Sequence, residues 1–231
     1  AGPSDLDAVD FDSTLTDSPI TITDTVFDAP YVGFHVMEGP ITNSPVVFTR
    51  VTSVTARYAI SLWSPVDSAV ALTESTLKGS VRGLYIRSAL RSPFTVTDST
   101  ISNSHDAWSA ISVNSAVDAS PFTFTRATVT ATGVSAGAKG LWFGGAVTDS
   151  PFSVTGSTFR AEAPAGVGAE AIDFDQPVTN SPFTVTDTVL SSPYVGLHVL
   201  QGPTVNSPAV FTRVTSTAAK YGLSLWALVD S

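Results

Sequence analysis

Apolar and polar residues alternate with period two in a short segment that occurs eight times along the chain. After a dipeptide that is usually Ser-Pro, the segments read ITIT, VVFT, VALT, FTVT, FTFT, FSVT, FTVT and AVFT. The first and third residues are apolar or Ala, and the fourth is always Thr. One face of each segment therefore suits a core and the other suits solvent, which predicts eight β-strands.

Two further strand signals accompany each segment. A small–apolar–x–apolar pattern follows it, in the forms GFHV, AISL, GLYI, AISV, GLWF, AIDF, GLHV and GLSL. One apolar residue before each dipeptide marks a third strand, and these residues are Leu15, Ile41, Val66, Leu90, Val117, Val147, Val178 and Val205. Repeats of 24–31 residues with three short strands each predict an all-β chain. The fold we expect is a parallel β-helix, or β-solenoid, of about eight coils that bury their apolar faces against one another.

A longer repeat encloses these coils. Residues 8–68 return at 171–231 without a gap, with 38 of 61 positions identical and an offset of 163 residues, or six coils. We therefore treat residues 1–231 as a single β-helix domain that contains a super-repeat made by duplication. Features repeated along an axis favour a structural or adhesive role, since an enzyme needs one unique site.

The coils are similar to a known repeat. FTVTDSTISNSHDAWSAISV and FTVTDTVLSSPYVGLHVL resemble the right-handed parallel β-helix repeat shared by pectate-lyase-like proteins and many surface adhesins. The resemblance implies a right-handed coil but assigns no function, because lyases, hydrolases, phage tailspikes and adhesins share that fold. Relatives often carry an asparagine ladder at the bend after the first strand. This chain has mixed charges there, so we expect no continuous asparagine ladder.

The composition excludes several classes of function. The 20 acidic and 11 basic residues give a net charge of −9, whereas nucleic acids and anionic membrane surfaces are bound by clustered Lys and Arg. No run of 18 apolar residues predicts membrane insertion, and the absence of cysteine excludes disulfides and thiolate metal sites. We expect an extracellular or cell-surface protein. Its expected partners are end-to-end copies of itself or a longer parent chain, together with a glycan or a surface protein.

Stacking turns equivalent positions into columns. The residue after the first strand is, in successive coils, Asp24, Arg50, Glu74, Asp98, Arg126, Gly156, Asp187 and Arg213. Alternating charges in this column predict ion pairs between neighbouring coils. Outward threonines of the first strand form two ranks, with Thr21, Thr23, Thr95, Thr97, Thr123, Thr125, Thr184 and Thr186 as their best-matched members. The ranks look like the ice-binding face of β-solenoid antifreeze proteins, so ice binding is one alternative function.

The second strand presents a different outward face. Its candidate recognition residues are Trp63, Tyr85, Trp142, His198 and Trp226. Aromatic rings among polar groups suit sugar stacking or contact with a partner protein. The three histidines, His35, His105 and His198, are expected at the surface rather than in a metal site or a catalytic triad.

One pair of carboxylates is compatible with catalysis. Asp173 and Asp175 lie at i and i+2 on one strand face, roughly 6–7 Å apart, which is within the range that glycosidases use. The pair recurs as Asp10 and Asp12, and the sequence shows no basic or histidine partner beside it. A polysaccharide-degrading enzyme and a Ca²⁺ site are therefore alternatives. The favoured function is a non-catalytic structural or adhesive module that needs no cofactor.

Overall fold

The computed structural model describes residues 6–54, 56–104, 108–133, 137–164, 168–200 and 202–231. Every regular element in these ranges is a β-strand, and the strands pair in parallel in about eight coils. No helix in this part of the chain is long and apolar enough to cross a membrane. The predicted all-β parallel β-solenoid is confirmed and its strands form three sheets, while its right-handed course stays a prediction.

Sheet I contains the alternating segments. Its strands are Ile20–Thr23, Val46–Thr49, Val70–Thr73, Phe94–Thr97, Phe122–Thr125, Phe152–Thr155, Phe183–Thr186 and Ala209–Thr212. Like pairs with like between coils, as where Phe94 lies beside Phe122 and Thr95 beside Thr123. This register keeps the apolar residues of all eight strands on the core face.

Sheet II follows the bend after sheet I, at a position where the sequence analysis assigned no strand. Its strands are Val26–Phe27, Thr52–Ser53, Thr76–Gly79, Thr100–Asn103, Thr128–Thr132, Thr158–Glu162, Val189–Ser192 and Thr215–Ala218. Several of these strands bury only one large apolar side chain, such as Leu77. One apolar residue is too short a pattern to reveal a strand by alternation.

Sheet III contains both the second and the third predicted strand of each coil, because two strands run through both positions. Its strands are Val9–Phe11, Leu15–Thr16, Val32–Thr42, Tyr58–Val66, Arg82–Ile86, Ala89–Leu90, Ser109–Val113, Val117–Asp118, Lys139–Phe143, Val147–Thr148, Glu170–Phe174, Val178–Thr179, Val195–Val199, Thr204–Val205, Tyr221–Leu225 and Leu228–Val229. The small residue of the GLWF-type pattern is required by close packing, since a Cβ on Gly140 would lie 2.4 Å from the Ala171 carbonyl oxygen.

The inward residue of the third strand differs from the prediction in three coils. The buried residues there are Pro65, Ala89 and Thr204, whereas Val66, Leu90 and Val205 are half-exposed. The inward position lies two residues before the left-handed bend residue, for example Arg91 or Asn206. The backbone bend therefore determines which residue of the third strand points inward. The most apolar residue nearby is not always that residue, so the prediction was shifted by one position in these coils.

A serine ladder runs along the bend between sheet III and sheet I. Its members are Ser18, Ser44, Ser68, Ser92, Ser120, Ser150, Ser181, Ser207 and Ser231. The backbone N–H of each serine except Ser231 donates to the Oγ of the serine in the next coil at 2.8–3.1 Å. The residue before each serine has φ between 47° and 50°, so the bend turns the N–H away from the ordinary strand ladder. The ladder satisfies a buried donor that the bend would otherwise leave unpaired.

Stacked phenylalanines fill the core between the sheets. The Phe143 and Phe174 rings lie parallel, with centroids 4.6 Å apart, and the Phe94 and Phe122 rings stack at 5.3 Å. Each of these side chains is almost completely buried. The interior is therefore well packed, and chemistry that needs solvent access must use the outward faces.

Candidate functional site

The outward face of sheet III carries the cation–aromatic contacts of the described residues and their most buried ion pairs. Its central column is Asp10, His35, Ser61, Tyr85, Ser112, Trp142, Asp173, His198 and Ser224, in register along the stack. We call this surface the sheet III face. Its coils near the N-terminus include an aromatic and cationic region, and its coils near the C-terminus include an ionic cluster.

A cleft lined by tyrosines and arginines lies on the first of these regions. The rings of Tyr31, Tyr58 and Tyr85 follow one another at 6.3 Å, and the Arg57 guanidinium lies 5.6 Å from both Tyr31 and Tyr58. These tyrosines and Arg82 line a cleft of about 210 Å³, which we call the Tyr–Arg cleft. The three rings come from consecutive coils, and Tyr58 and Tyr85 lie on neighbouring paired strands of sheet III, so the fold positions most of the cleft.

Arg82 is the unusual residue of the Tyr–Arg cleft. Only 7% of Arg82 is exposed, and its guanidinium lies 4.2 Å from the Trp108 ring and 4.9 Å from the Tyr85 ring. Its Nε has no hydrogen-bond partner, and no carboxylate in the described ranges lies within ion-pair distance of it. Burial lowers the pKa of Arg82 from its ordinary value. A buried cation with a spare donor is a site for an acceptor or an anion.

The Tyr–Arg cleft extends to Trp63 and has a partial copy in the super-repeat. Trp63 lines the cleft, and the Arg87 guanidinium lies 4.2 Å from its ring. In the second copy the Lys220 ammonium lies 4.6 Å from the Tyr194 ring and 5.2 Å from the Tyr221 ring. Cation–aromatic contact is thus repeated along the axis.

The ionic cluster centres on Asp173, which is 1% exposed. The Lys139 ammonium contacts the Asp173 carboxylate directly and lies 3.5 Å from the Asp175 carboxylate. His198 Nδ1 lies 3.7 Å from Asp173 Oδ1 and 3.9 Å from Glu170 Oε1. We call Glu170, Asp173 and His198 the Asp173 cluster. Three coils contribute to this arrangement, since Lys139 comes from the coil before Asp173 and His198 from the coil after it.

Burial and neighbouring charges shift the pKa values in this region. Burial raises the pKa of Asp173 to about 7, although Lys139 opposes the shift, and burial likewise raises the pKa of Glu170. Burial opposes the charge on Lys139, but the carboxylates, Asp173 first, outweigh it and raise the Lys139 pKa. Burial, followed by the charge of Lys139, lowers the pKa of His198. Asp173 therefore changes protonation near neutral pH.

The super-repeat equivalent of the Asp173 cluster consists of Asp7, Asp10 and His35, which we call the Asp7 cluster. His35 Nδ1 lies 3.1 Å from Asp7 Oδ2 and 3.6 Å from Asp10 Oδ1. Asp7 also accepts the Val32 N–H at 3.0 Å, which fixes its carboxylate. One potential ligand atom from each member lies within 4.8 Å of the others.

The structure corrects the prediction for the histidines. His35 is 6% exposed and His198 8% exposed, so neither is a surface residue; two acidic residues of the preceding coil lie against each imidazole. His105 lies outside the described residues. The expectation that Asp173 has no basic or histidine partner was also wrong, because Lys139 and His198 reach it from neighbouring coils.

The other predicted recognition residues occupy separate parts of the sheet III face. Trp63 and Tyr85 are half-buried in the Tyr–Arg cleft, while Trp142 donates its indole N–H to Asp175 Oδ2 at 2.7 Å. Trp226 is 61% exposed in the last coil. Sequence reasoning missed Tyr31, Tyr58, Arg82 and Trp108. The signal for two of them was available, since Tyr31 and Tyr58 recur as Tyr194 and Tyr221 in the super-repeat.

The threonine ranks lie in register on the outward face of sheet I. Thr95 pairs with Thr123 and Thr97 with Thr125, and the outer positions such as Thr21 and Thr184 are exposed. Val47, Ala71, Ser153 and Val210 interrupt the rank of Thr21, Thr95, Thr123 and Thr184. The array is regular in spacing and mixed in chemistry, and ice binding stays a prediction.

Ion pairs link neighbouring coils at the bends, as the charge alternation predicted. The Arg126 guanidinium donates to both oxygens of Asp98 at 2.6 Å, and Asp24–Arg50 and Asp187–Arg213 repeat this bidentate geometry. A further pair, Asp67–Arg91, forms at the other bend. All four pairs are exposed. We assign them to the alignment of neighbouring coils rather than to ligand binding.

Comparison of the chain with protein-family models, with curated proteins and with solved structures gives no match. The β-solenoid is therefore established by the strand pairing alone. The arguments about function depend on the residues of the sheet III face.

Proposed function

We propose that this protein is a non-catalytic adhesive module of the extracellular space or cell surface, of the right-handed adhesin-type β-helix kind, that binds an acidic polysaccharide on its sheet III face. One observation carries the proposal. Arg82 is a buried guanidinium that lines the Tyr–Arg cleft among aromatic rings and has no carboxylate partner in the described ranges. A uronate carboxylate bound in the cleft would supply the negative charge that the Arg82 guanidinium lacks.

The aromatic residues suit the sugar ring that would carry this carboxylate. Pyranose rings present apolar C–H faces, and Tyr58, Tyr85 and Trp63 offer flat apolar surfaces with polar edges around the cleft. A polymer along the solenoid axis would pass the rings of Tyr31, Tyr58 and Tyr85, which follow one another at 6.3 Å.

Repetition favours adhesion by several sites. The Tyr194–Lys220–Tyr221 contacts lie six coils, or about 29 Å at ~4.8 Å per coil, from their counterparts at Tyr31 and Tyr58. Two weak sites on one rigid rod bind one polymer more tightly than either site alone. An array lengthened by duplication would add sites in the same direction.

The same reasoning supports a longer assembly. The last coil exposes Leu223 and Leu228 at 40% and 54%, while their partners in the preceding coil, Leu197 and Thr204, are almost completely buried. We propose that a coil from a second copy packs on this edge. Electron microscopy should show rods with a repeat near 29 Å, six coils at ~4.8 Å each, and uniformly short monomers would contradict the array.

Polysaccharide hydrolysis is a second candidate, favoured by the pKa of about 7 for Asp173. A general acid must be protonated near the working pH, and Asp175 is a second carboxylate close by. If the protein hydrolyses the polysaccharide that it binds, substitution Asp173→Asn should abolish the release of reducing ends. If the wild-type protein releases none, or if Asp173→Asn releases them at the wild-type rate, the hydrolytic function is refuted.

A glycan array tests the adhesive function. We expect the wild-type protein to retain uronate-containing glycans, and Trp63→Ala and Arg87→Ala to lose at least ten-fold in affinity, about 1.4 kcal/mol. Lys78→Ala is the control, because Lys78 is an exposed cation on sheet II, away from the cleft. Equal retention by all four proteins, or a preference for neutral glycans, would refute the proposal.

A further inference from the structure

A second cavity on the sheet III face lies between two tryptophans. It has a volume of about 120 Å³, and the residues that line it are Trp108, Ser109, Gly137, Lys139 and Trp142. We call it the Trp–Trp cavity. The strand register leaves room for it, because the small side chain of Ser109 pairs with Lys139 and that of Ser112 pairs with Trp142. Strand pairing thus positions three of the five lining residues.

Trp108 joins the Trp–Trp cavity to the Tyr–Arg cleft. The Arg82 guanidinium, which lines the cleft, lies 4.2 Å from the Trp108 ring. Trp108 is 42% exposed, and among the described aromatic residues before Tyr221 it is the only exposed one. An exposed indole beside a cavity suits contact with a ligand. A polymer bound at Arg82 and continuing along the axis towards the C-terminus would meet Trp108 next.

The positive charge on the wall of the Trp–Trp cavity is already balanced. Among the described residues that line the cavity, Lys139 is the only ionisable one. Its ammonium contacts the Asp173 carboxylate and lies 3.5 Å from that of Asp175, which also accepts the Trp142 indole N–H at 2.7 Å. Arg82, in contrast, has no carboxylate within ion-pair distance in the described ranges. A sugar carboxylate in the cavity would therefore gain little from Lys139 and would be repelled by Asp175.

We propose that the Trp–Trp cavity binds an uncharged pyranose ring, with Trp108 and Trp142 as its stacking surfaces. Flat apolar rings with polar groups at their edges match the apolar faces and the hydroxyls of a pyranose. The inference rests on the proposed function, because it assigns the cavity to the polysaccharide that the Tyr–Arg cleft binds. It narrows that polysaccharide to a class in which an uncharged sugar lies near a uronate.

Isothermal titration with a fully methyl-esterified galacturonate hexamer tests the Trp–Trp cavity, because this ligand carries no charge. The wild-type protein should bind the ester with a dissociation constant below about 1 mM. Trp142→Ala should lose at least ten-fold in affinity, whereas Trp142→Phe, which keeps a stacking ring, should stay within about three-fold of the wild type. The matched control is Trp226→Ala, because Trp226 is 61% exposed in the last coil, away from the cavity.

Two results would overturn the site: no binding of the ester by the wild-type protein, or equal affinity of Trp142→Ala and Trp226→Ala. Trp108→Ala is a second test at an exposed position, where the substitution leaves the fold intact. It should also lose at least ten-fold in affinity for the ester, and wild-type affinity in this variant would likewise overturn the site. Circular dichroism shows that each variant is folded.

The free acid of the same hexamer separates this site from the Tyr–Arg cleft. Trp142→Ala should weaken binding of the ester at least as much as binding of the acid. A larger loss for the acid would mean that the cavity recognises charge, and would overturn its assignment to an uncharged ring. If the wild-type protein does not prefer the acid but ester binding depends on Trp142, the uronate proposal alone fails. If the acid is preferred and ester binding ignores Trp142, the Trp–Trp cavity alone fails.

Discussion

Removing one hydroxyl from the serine ladder should destabilise the solenoid more than the same change on its surface. Ser120 is fully buried, and its Oγ accepts the Ser92 N–H at 2.9 Å. The Oγ also donates to the Asp118 carbonyl, but that carbonyl keeps the Arg91 N–H as a partner at 2.9 Å. Ser120→Ala therefore leaves one buried N–H unpaired, which costs about 1–3 kcal/mol.

Urea unfolding followed by circular dichroism measures this loss, which corresponds to about 2–12 °C in melting temperature for a chain of this length. Ser153→Ala is the matched control. Ser153 lies half-exposed on the outward face of sheet I, and its loss should stay within about 0.5 kcal/mol.

Hydrogen exchange locates the effect. The Ser92 amide should exchange faster in Ser120→Ala, while the Ser120 amide, which still donates to Ser150 Oγ, should stay protected. Equal stability of Ser120→Ala and Ser153→Ala, or unchanged protection of the Ser92 amide, would refute the ladder's contribution.

Three further predictions address the ionic cluster, sheet I and coil packing. Because the Asp173 pKa is raised from 3.8 to about 7, the folded state holds a proton that the unfolded state releases. The protonated Asp173 carboxyl stabilises the folded state fully below about pH 4, and this contribution is lost as pH rises through 7. The free energy of unfolding of the wild-type protein, relative to that of Asp173→Asn, should therefore fall between about pH 4 and 7. An NMR titration of the Asp173 carboxyl with a midpoint below about 5 would contradict the raised pKa. If sheet I binds ice, Thr97→Tyr abolishes thermal hysteresis, and an unchanged or absent hysteresis rejects that function. Gly140→Ala should lose about 1–3 kcal/mol in unfolding experiments, because its Cβ would meet the Ala171 carbonyl, and an unchanged midpoint would contradict that contact.

The architecture could be predicted because the solenoid repeats simple local rules. Alternation in FTVT-type segments placed sheet I, and the charge column identified pairs such as Asp98–Arg126. Both features need only a sequence position and its equivalent in the next coil. The inward residues Pro65 and Ala89 were missed because the bend, not the hydropathy, sets their position.

The ionic cluster and the Tyr–Arg cleft could not be read from the sequence in the same way. Lys139, Asp173 and His198 are separated by 34 and 25 residues, and unequal loops hide their alignment until strands pair. Arg82 begins its strand, outside the small–apolar–x–apolar pattern that was used to align the coils. Its missing carboxylate partner is a property of packing, which no single repeat reveals.

Isothermal titration with a galacturonate hexamer, as free acid and as methyl ester, tests the central claim most directly. The account predicts that the free acid binds at least ten-fold more tightly, that this difference shrinks at high salt, and that Trp63→Ala weakens binding while Lys78→Ala does not. Equal affinity for acid and ester, or binding that survives Trp63→Ala unchanged, would contradict recognition of an acidic sugar by the Tyr–Arg cleft.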